Sequence, residues 1–576
     1  MKNCVYTLLC IAVILPVLLY GQTIVPVASD GASGGNLDNA INAAIASKTL
    51  STTVFQLEAA GLYLLQGPVT IPAGTKLTIT APDPGTTPAT ALPMIMGLAG
   101  GGVTWRYNFD VFGDISLKNI WLMYASTTPA QLGTMSLEMD NDSTRNKNIA
   151  NFENVIFEYS SNGCVESRAN HLIATFKNCY FRNDIDQHLR YYGRALTWPY
   201  ASTTYHTDSV SFVNCTFANM GYGFMQEAPQ YSDHVWFNHC TFLNMMMFPI
   251  ESSYWYWLNV NNCLFVNTQM FGDIIANRST LSPTQPPSGT ISIDTLGAAV
   301  MAFPYTESQR HIVFTHSAYF LENWLTDYMA NNPFSLDPNT GVNLKPNPMP
   351  MISTNTRRIF NTKTTWPYVS MISSTLIDSV DPGFVFPPTN YDNIKTFLLG
   401  RWSTGTNIDW AYDPSSDLSA VWPMNEDLSY SNSRLKTGGM GGFPIGDLYH
   451  WWPTQYTAWK AQEQTENNTI YGWLTNSITT GVKEQSSIPA KYELNQNYPN
   501  PFNPTTQIEY SVPERGNISL KVYNLLGEEV ATLFTGVQQA GNHVATFNGT
   551  GLTSGVYFYR LQAGNFSDTK KLVLMK

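Results

Sequence analysis

The sequence predicts an all-β chain, a solenoid followed by a small β-sandwich. Three observations carry this. A unit of about 24 residues recurs through the middle of the chain, centred on Asn/His-Cys-x-Phe-x-Asn. Short apolar strands precede it, in Phe55-Gln-Leu, Tyr63-Leu-Leu, Val69-Thr-Ile71 and Leu77-Thr-Ile79. From Tyr492 to Lys576, strand-length apolar runs alternate with turns bearing Gly and Asn.

Residues 1–22 have the composition of a signal peptide. Lys2 gives a positive start, Leu8 to Tyr20 is apolar apart from Pro16, and Gly21-Gln22-Thr23 offers a processing site. The run is too short for a membrane span. Cys10 follows Leu9 rather than a small residue, which weakens a lipoprotein reading. With no other apolar run of about 18 residues, a soluble mature protein without a membrane span is expected. Asp38 to Ala46, with Leu37 just before it, then places Leu37, Ile41, Ala44 and Ile45 at helical spacing, suited to cap the open end of a solenoid.

The repeat reads Asn178-Cys-Tyr-Phe181-Arg-Asn183, Asn214-Cys-Thr-Phe217-Ala-Asn219, His239-Cys-Thr-Phe242-Leu-Asn244 and Asn262-Cys-Leu-Phe265-Val-Asn267. Steps from Cys179 to Cys215, Cys240 and Cys263 are 36, 25 and 23 residues. Asn119-Ile-Trp-Leu122 and Asn154-Val-Ile-Phe157 fit the same frame upstream, and His316-Ser-Ala-Tyr319 downstream. An apolar residue stands three before each Cys (Phe176, Phe212, Phe237, Val260), so simple alternation would bury the Asn. A left-handed bend at the Asn resets the phase, and Asn tolerates that bend better than other non-glycine residues. Cys and Phe then point inward, and the second Asn makes the next corner. Coils stacked about 4.8 Å apart would ladder Asn on Asn, Cys on Cys and Phe on Phe. The cysteines read as small core residues rather than disulfides or metal ligands. Cys164 stands outside the frame.

Residues 331–482 lose the repeat and become rich in Pro, Asn and Trp, which reads as irregular final coils and a cap ending in a helix near Thr454 to Glu466. The glycine run at Gly438–Gly446 lacks a following Lys-Ser/Thr and is not a phosphate loop. Residues 483–576 form the sandwich, entered through the proline-rich segment Pro499–Pro504.

Two resemblances add to this reading. Asn497-Tyr-Pro-Asn-Pro-Phe-Asn-Pro504, Leu552-Thr-Ser-Gly-Val-Tyr557-Phe-Tyr-Arg560-Leu561 and Lys570-Lys571 to Lys576 closely resemble the type A C-terminal sorting domain of the type IX secretion system. That implies an Ig-like sandwich, recognition by the type IX secretion machinery, and a secreted or cell-surface destination. The repeat and the strands before it, in the expected domain 23–330, resemble the right-handed parallel β-helix of the pectate-lyase-like superfamily, closely over roughly residues 30–330 and loosely over 330–480; that fold is shared by lyases, hydrolases, epimerases and non-enzymes.

The chain has a net charge of −11 with 13% charged residues, which argues against a nucleic-acid partner. Fifteen tryptophans and 13% aromatics suit a large core or sugar-stacking platforms. Candidate chemistry sits in two places. The long corner after Asn183 holds Asp184, Asp186, His188, Arg190 and Arg194; Asp186 could hold calcium, His188 or Arg190 could move a proton, and an Arg could bind a uronate carboxylate. Glu227 and Glu251, counted from Asn219 and Asn244, are expected to stack on adjacent coils as an acid/base pair. Trp255 and Trp257, within Tyr254-Trp-Tyr-Trp257, and Arg194 are the candidate carbohydrate contacts. Neither the Arg-x-Pro-x-x-Arg motif of the lyases nor an Asp-Asp hydrolase motif is matched. The expectation is therefore a surface protein that binds or degrades polysaccharide, as a lyase or glycoside hydrolase if it is an enzyme, with a non-catalytic structural or adhesive protein as the alternative.

Overall fold

The computed structural model describes residues 21–98, 106–126, 135–160, 162–185, 193–199, 205–226, 230–252, 255–272, 289–293, 304–331, 348–352, 354–387, 392, 394–398, 422–475, 491–497, 500–513, 516–538 and 541–575. The chain divides into two compact units, Met1–Ser477 and Ile478–Lys576.

The first unit is a parallel β-helix. Each coil contributes a strand to a first sheet, turns at an Asn or His, contributes to a second sheet, and continues into a third. Coils around the middle run Leu172–Lys177, Tyr180–Arg182, Arg194–Thr197, then His206–Val213, Thr216–Met220, Tyr222–Gln226, then Tyr231–Asn238, Thr241–Met245, Ile250–Ser252. Every pairing between these coils is parallel. Asp114–Ser126 and Asn148–Glu158 run unbroken through the first corner, which joins the first two sheets into one 19-stranded ribbon beside the 8-stranded third sheet.

Asparagine makes the corners because the backbone there is left-handed. Asn119, Asn154, Asn178, Asn214, His239, Asn262 and His316 have φ between 44° and 59°, and Asn183, Asn219, Asn244 and Asn267 between 51° and 57°. Asn reaches this region at lower cost than most side chains, and at the second corner its amide also bonds to the neighbouring coil. At the second corner, Nδ2 of Asn219, Asn244 and Asn267 donates to Oδ1 of Asn183, Asn219 and Asn244 at 3.3, 3.0 and 3.1 Å. Glu158, accepting from Asn183, and Glu322, accepting from Asn267, close the two ends of the row.

Inside, two phenylalanine stacks run along the axis. Phe152, Phe176, Phe212 and Phe237 stack at 4.9, 4.6 and 4.9 Å, and Phe157, Phe181, Phe217, Phe242 and Phe265 at 4.9, 4.9, 4.5 and 4.9 Å. These spacings equal the coil rise, so the rings stack without tilting the strands. Cys179, Cys215, Cys240 and Cys263 lie buried beside them, and the thiols of Cys179, Cys215 and Cys240 point at the carbonyls of Phe152, Phe176 and Phe212 one coil back. The helix Asn36–Ala46 buries Leu37, Ile41 and Ala44 on the first coil.

Residues 422–475 differ from the expected end cap. They return along the outside of the first corner, over coils laid down between Asn178 and Asn262, more than 150 residues earlier. The expected helix near Thr454 to Glu466 is two helices, Pro453–Lys460 and Glu463–Thr475. The glycine run is a docking element. The Met440 N–H donates to Asn262 Oδ1 at 2.8 Å, and the Gly446 N–H to the Asn262 carbonyl at 2.8 Å. Gly446 has φ +99°, and a side chain there would meet Thr241 Oγ1 at 2.5 Å, so only glycine permits the approach. Asp447 accepts from Thr216 Oγ1, Tyr456 accepts from Asn178 Nδ2, and Lys177 pairs with Glu463.

The second unit has an antiparallel sheet of Glu493–Leu494, Thr505–Val512 and Gly541–Asn548, and another of Glu529–Gln538, Gly516–Tyr523, Gly555–Ala563 and Phe566–Leu574. Ile508, Tyr510 and Val512 from the first and Ile518, Leu520 and Val522 from the second meet in one core. The Asn-Pro motif is sewn in by its polar atoms. The Asn497 N–H donates to Tyr559 Oη, Tyr559 donates to the Asn495 carbonyl, and Asn500 Oδ1 accepts from the Val573 N–H.

Candidate functional site

The outer face of the third sheet carries a carboxylate ladder. In Tyr107–Val111, Met135–Met139 and Gly163–Ser167, alternate residues Phe109, Val111, Leu137, Met139 and Val165 enter the core. The opposite face therefore presents Asp110, Glu138 and Glu166, which are direct register partners on consecutive coils. Toward the C-terminal end the same row continues as Thr197, Met225, Glu251 and Ser292. Asp140 lies two residues beyond Glu138, and oxygens of Asp110, Glu138 and Asp140 lie within 4.8 Å of one another.

Two arginines bracket the ladder. Arg106 reaches Glu138 at 3.2 Å and Glu166 at 2.9 Å, and Arg168 reaches Glu138 at 3.5 Å and Glu166 at 3.0 Å. The carboxylates are almost sealed, whereas Arg106 is 46% exposed and Arg168 29%. The guanidiniums thus form the solvent-facing roof of an acidic floor. Burial pushes the Glu138 carboxyl up to about 7, against the pull of Arg168 and Arg106 and with help from Glu166 and Asp140. Burial, with the charge and hydrogen bond of Asp140, pushes Asp110 up to about 6, while Tyr107, donating to Asp110 at 3.4 Å, and Arg168 pull it down. Burial thus favours the protonated form of Glu138 and, to a lesser extent, of Asp110. The floor's oxygens are also the donors that a calcium ion takes.

Sequence reasoning missed this row, although a signal was present: Asp110, Glu138 and Glu166 are separated by steps of 28 residues each.

Of the residues singled out from sequence, Asp186, His188, Arg190 and Glu227 lie outside the described residues. Glu251 pairs in register with Met225, two residues short of Glu227, so the expected register of Glu251 on Glu227 is corrected. Eight residues from Asn219 and seven from Asn244 would mark one position only if the corner after Asn219 were longer by one, whereas the corner after Asn244 is the longer by one. Arg194 is buried, with Nη1 donating to Thr197 Oγ1 at 3.0 Å and the guanidinium over the Tyr222 ring. Trp255 is wholly buried in the core and offers no face to a sugar. Trp257 faces out but is half-covered, with His311 stacked at 4.7 Å and Tyr471 of the returning helix at 5.7 Å. Asp184 is buried too. It accepts from the Ser160 N–H at 2.7 Å and lies against the Cys164 thiol, and burial drives its carboxyl well up. This gives Cys164, outside the repeat frame, a place in the core.

The fold and the tail together define a class, a parallel β-helix joined to an export domain. Residues 496–575 match the family described as the secretion system C-terminal sorting domain, which marks proteins carried to the cell surface or beyond. The chain is accordingly a β-helix protein secreted through, and handled by, the type IX machinery. No curated protein matches it in sequence. Among the described residues no helix is long and apolar enough to cross a membrane.

Proposed function

We propose that this secreted protein binds or degrades an acidic polysaccharide at the third sheet, around Glu138. The carrying observation is the in-register row Asp110–Glu138–Glu166 beneath Arg106 and Arg168. Arginine pairs bidentately with carboxylates, so the roof suits uronate groups presented at intervals along a chain. Substrate carboxylates that draw Arg106 and Arg168 outward would leave Glu138 with less countercharge and a firmer hold on its proton. A carboxyl titrating near neutrality can donate that proton to a glycosidic oxygen, with a second carboxylate a few ångströms away as base or nucleophile. A signal peptide at residues 1–22 belongs to this reading, as the start of the export route.

The near-complete burial of Glu138 and Glu166 favours a second reading, in which the ladder is a structural network in a non-catalytic rod or adhesin. The two separate on a panel of uronic-acid and neutral polysaccharides, assayed with and without calcium, for wild-type protein and Glu138→Gln. Turnover lost in Glu138→Gln supports catalysis. Binding that survives Glu138→Gln but fails in Arg106→Ala supports a binding module. No binding and no turnover on any polymer would leave the structural reading standing.

A further inference from the structure

Away from the carboxylate ladder, on the outer face of the first sheet, two histidines and an aspartate from two consecutive coils converge, and an aspartate of the next coil pairs with one of the histidines. His171 precedes the strand Leu172–Lys177, His206 and Asp208 lie on His206–Val213, and Asp233 lies on Tyr231–Asn238. Asp208 Oδ1 is 2.8 Å from His171 Nδ1 and 3.8 Å from His206 Nε2, and His206 Nε2 is 3.0 Å from Asp233 Oδ2.

We propose that His171, His206 and Asp208 form a binding site for a zinc-class divalent metal ion, with Asp233 beside His206. Zinc takes imidazole nitrogens and carboxylate oxygens at about 2.0–2.2 Å in a tetrahedron, which sets neighbouring donors roughly 3.3 Å apart. The separations of Asp208 Oδ1 from His171 and His206, 2.8 and 3.8 Å, bracket that value, and donors of all three residues lie within 4.8 Å of one another, leaving the fourth position to water. A mixed nitrogen and oxygen set suits zinc better than calcium or magnesium, which take oxygens.

The backbone around the cluster is shaped to hold it. The register between Leu172–Lys177 and His206–Val213 is continuous except for one shift, which falls between Leu172 and Ile173 and leaves Asp208 as the extra residue. Such a bulge re-aims a side chain, here the one that reaches His171 Nδ1. His171 itself is left-handed, at φ +55°, and its N–H donates to the His206 carbonyl at 2.7 Å, fixing one histidine to the other. The His206 ring is held between His171, edge-on at 4.8 Å, and Tyr231, stacked at 4.6 Å. The three ligand side chains keep some exposure, from 18% to 43%, so an ion can enter from solvent.

The test uses the full chain, stripped with a chelator and titrated with zinc against a chromophoric competitor. One zinc per chain is expected. In His206→Ala, affinity should fall by more than roughly 100-fold, beyond the 10–100-fold typical of losing an outer partner. Asp208→Asn keeps the shape and should also bind more weakly. Cobalt in place of zinc should give the visible absorption of a tetrahedral nitrogen and oxygen site in wild-type protein and lose it in His171→Gln, a readout that stands even if His206→Ala folds poorly. Failure to bind zinc stoichiometrically, or undiminished affinity in folded His206→Ala and Asp208→Asn proteins, would overturn the proposal.

Discussion

Nε2 of His239 lies 3.3 Å from Oε1 of Glu466, with both side chains sealed from solvent. His239 is a corner residue of the β-helix and Glu466 belongs to the returning helix. The same carboxylate accepts from Asn238 Nδ2 at 2.8 Å and Trp459 Nε1 at 3.1 Å. One glutamate thus satisfies groups from two parts of the chain far apart in sequence, and holds residues 422–475 on the coils.

Removing it should be severe. Glu466→Ala leaves His239, Asn238 and Trp459 buried without their acceptor, and should cost about 3–5 kcal/mol in denaturant unfolding. Burial pushes the Glu466 carboxyl up, but His239, Asn238 and Trp459 outweigh it and hold it below its ordinary value. A lowered carboxyl supplies stability above its unfolded-state value and loses it as pH falls through the folded one. The acid limb of the stability profile should therefore flatten in Glu466→Gln.

Glu138 works in the opposite sense. Its folded value, about 7, lies above the ordinary glutamate value of 4.5. The native state binds the proton more tightly, so the group lowers stability progressively from about pH 4.5 to 7, by up to about 3 kcal/mol. Urea midpoints measured from pH 4.5 to 8 should decline, and Glu138→Gln should remove much of that slope. An unchanged slope would mean that Arg106 and Arg168 keep Glu138 ionised throughout.

The asparagine ladder separates backbone from side-chain effects. Asn219→Gly keeps the left-handed corner but loses the bonds to Asn183 and Asn244. Asn219→Ala loses the bonds and also meets a left-handed penalty of about 1–2 kcal/mol. In thermal unfolding, the alanine protein should be the less stable of the two by about that margin.

Cys164, Cys179, Cys215, Cys240 and Cys263 are buried, and burial raises the thiols of Cys164, Cys179, Cys215 and Cys240 well above their ordinary value. A thiol-specific chromogenic reagent should leave these five untouched in native protein and label them only on unfolding.

The corners were legible because left-handed backbone selects Asn, and the phase break before Cys179, Cys215, Cys240 and Cys263 has no other simple cause. The phenylalanine stacks followed from the same frame. The site was less legible. Asp110, Glu138 and Glu166 lie upstream of the cysteines on which the coils align, and their common face appears only once the third strands are registered. The counts to Glu227 and Glu251 imply a corner one residue longer after Asn219, but the longer corner follows Asn244, which no local pattern around Met246 to Pro249 announces. The return of Met440 to Thr475 along the first corner rests on contacts between residues hundreds apart, such as Asn178 with Tyr456 and His239 with Glu466, and local periodicity carries no trace of them.

The third-sheet site is tested most directly by hydrogen–deuterium exchange with a polysaccharide that the wild-type protein binds. Protection centred on Tyr107–Val111, Met135–Met139 and Gly163–Ser167, absent in Arg106→Ala, is the predicted result. Binding with protection confined to other strands, or unaltered by Arg106→Ala, would contradict the account.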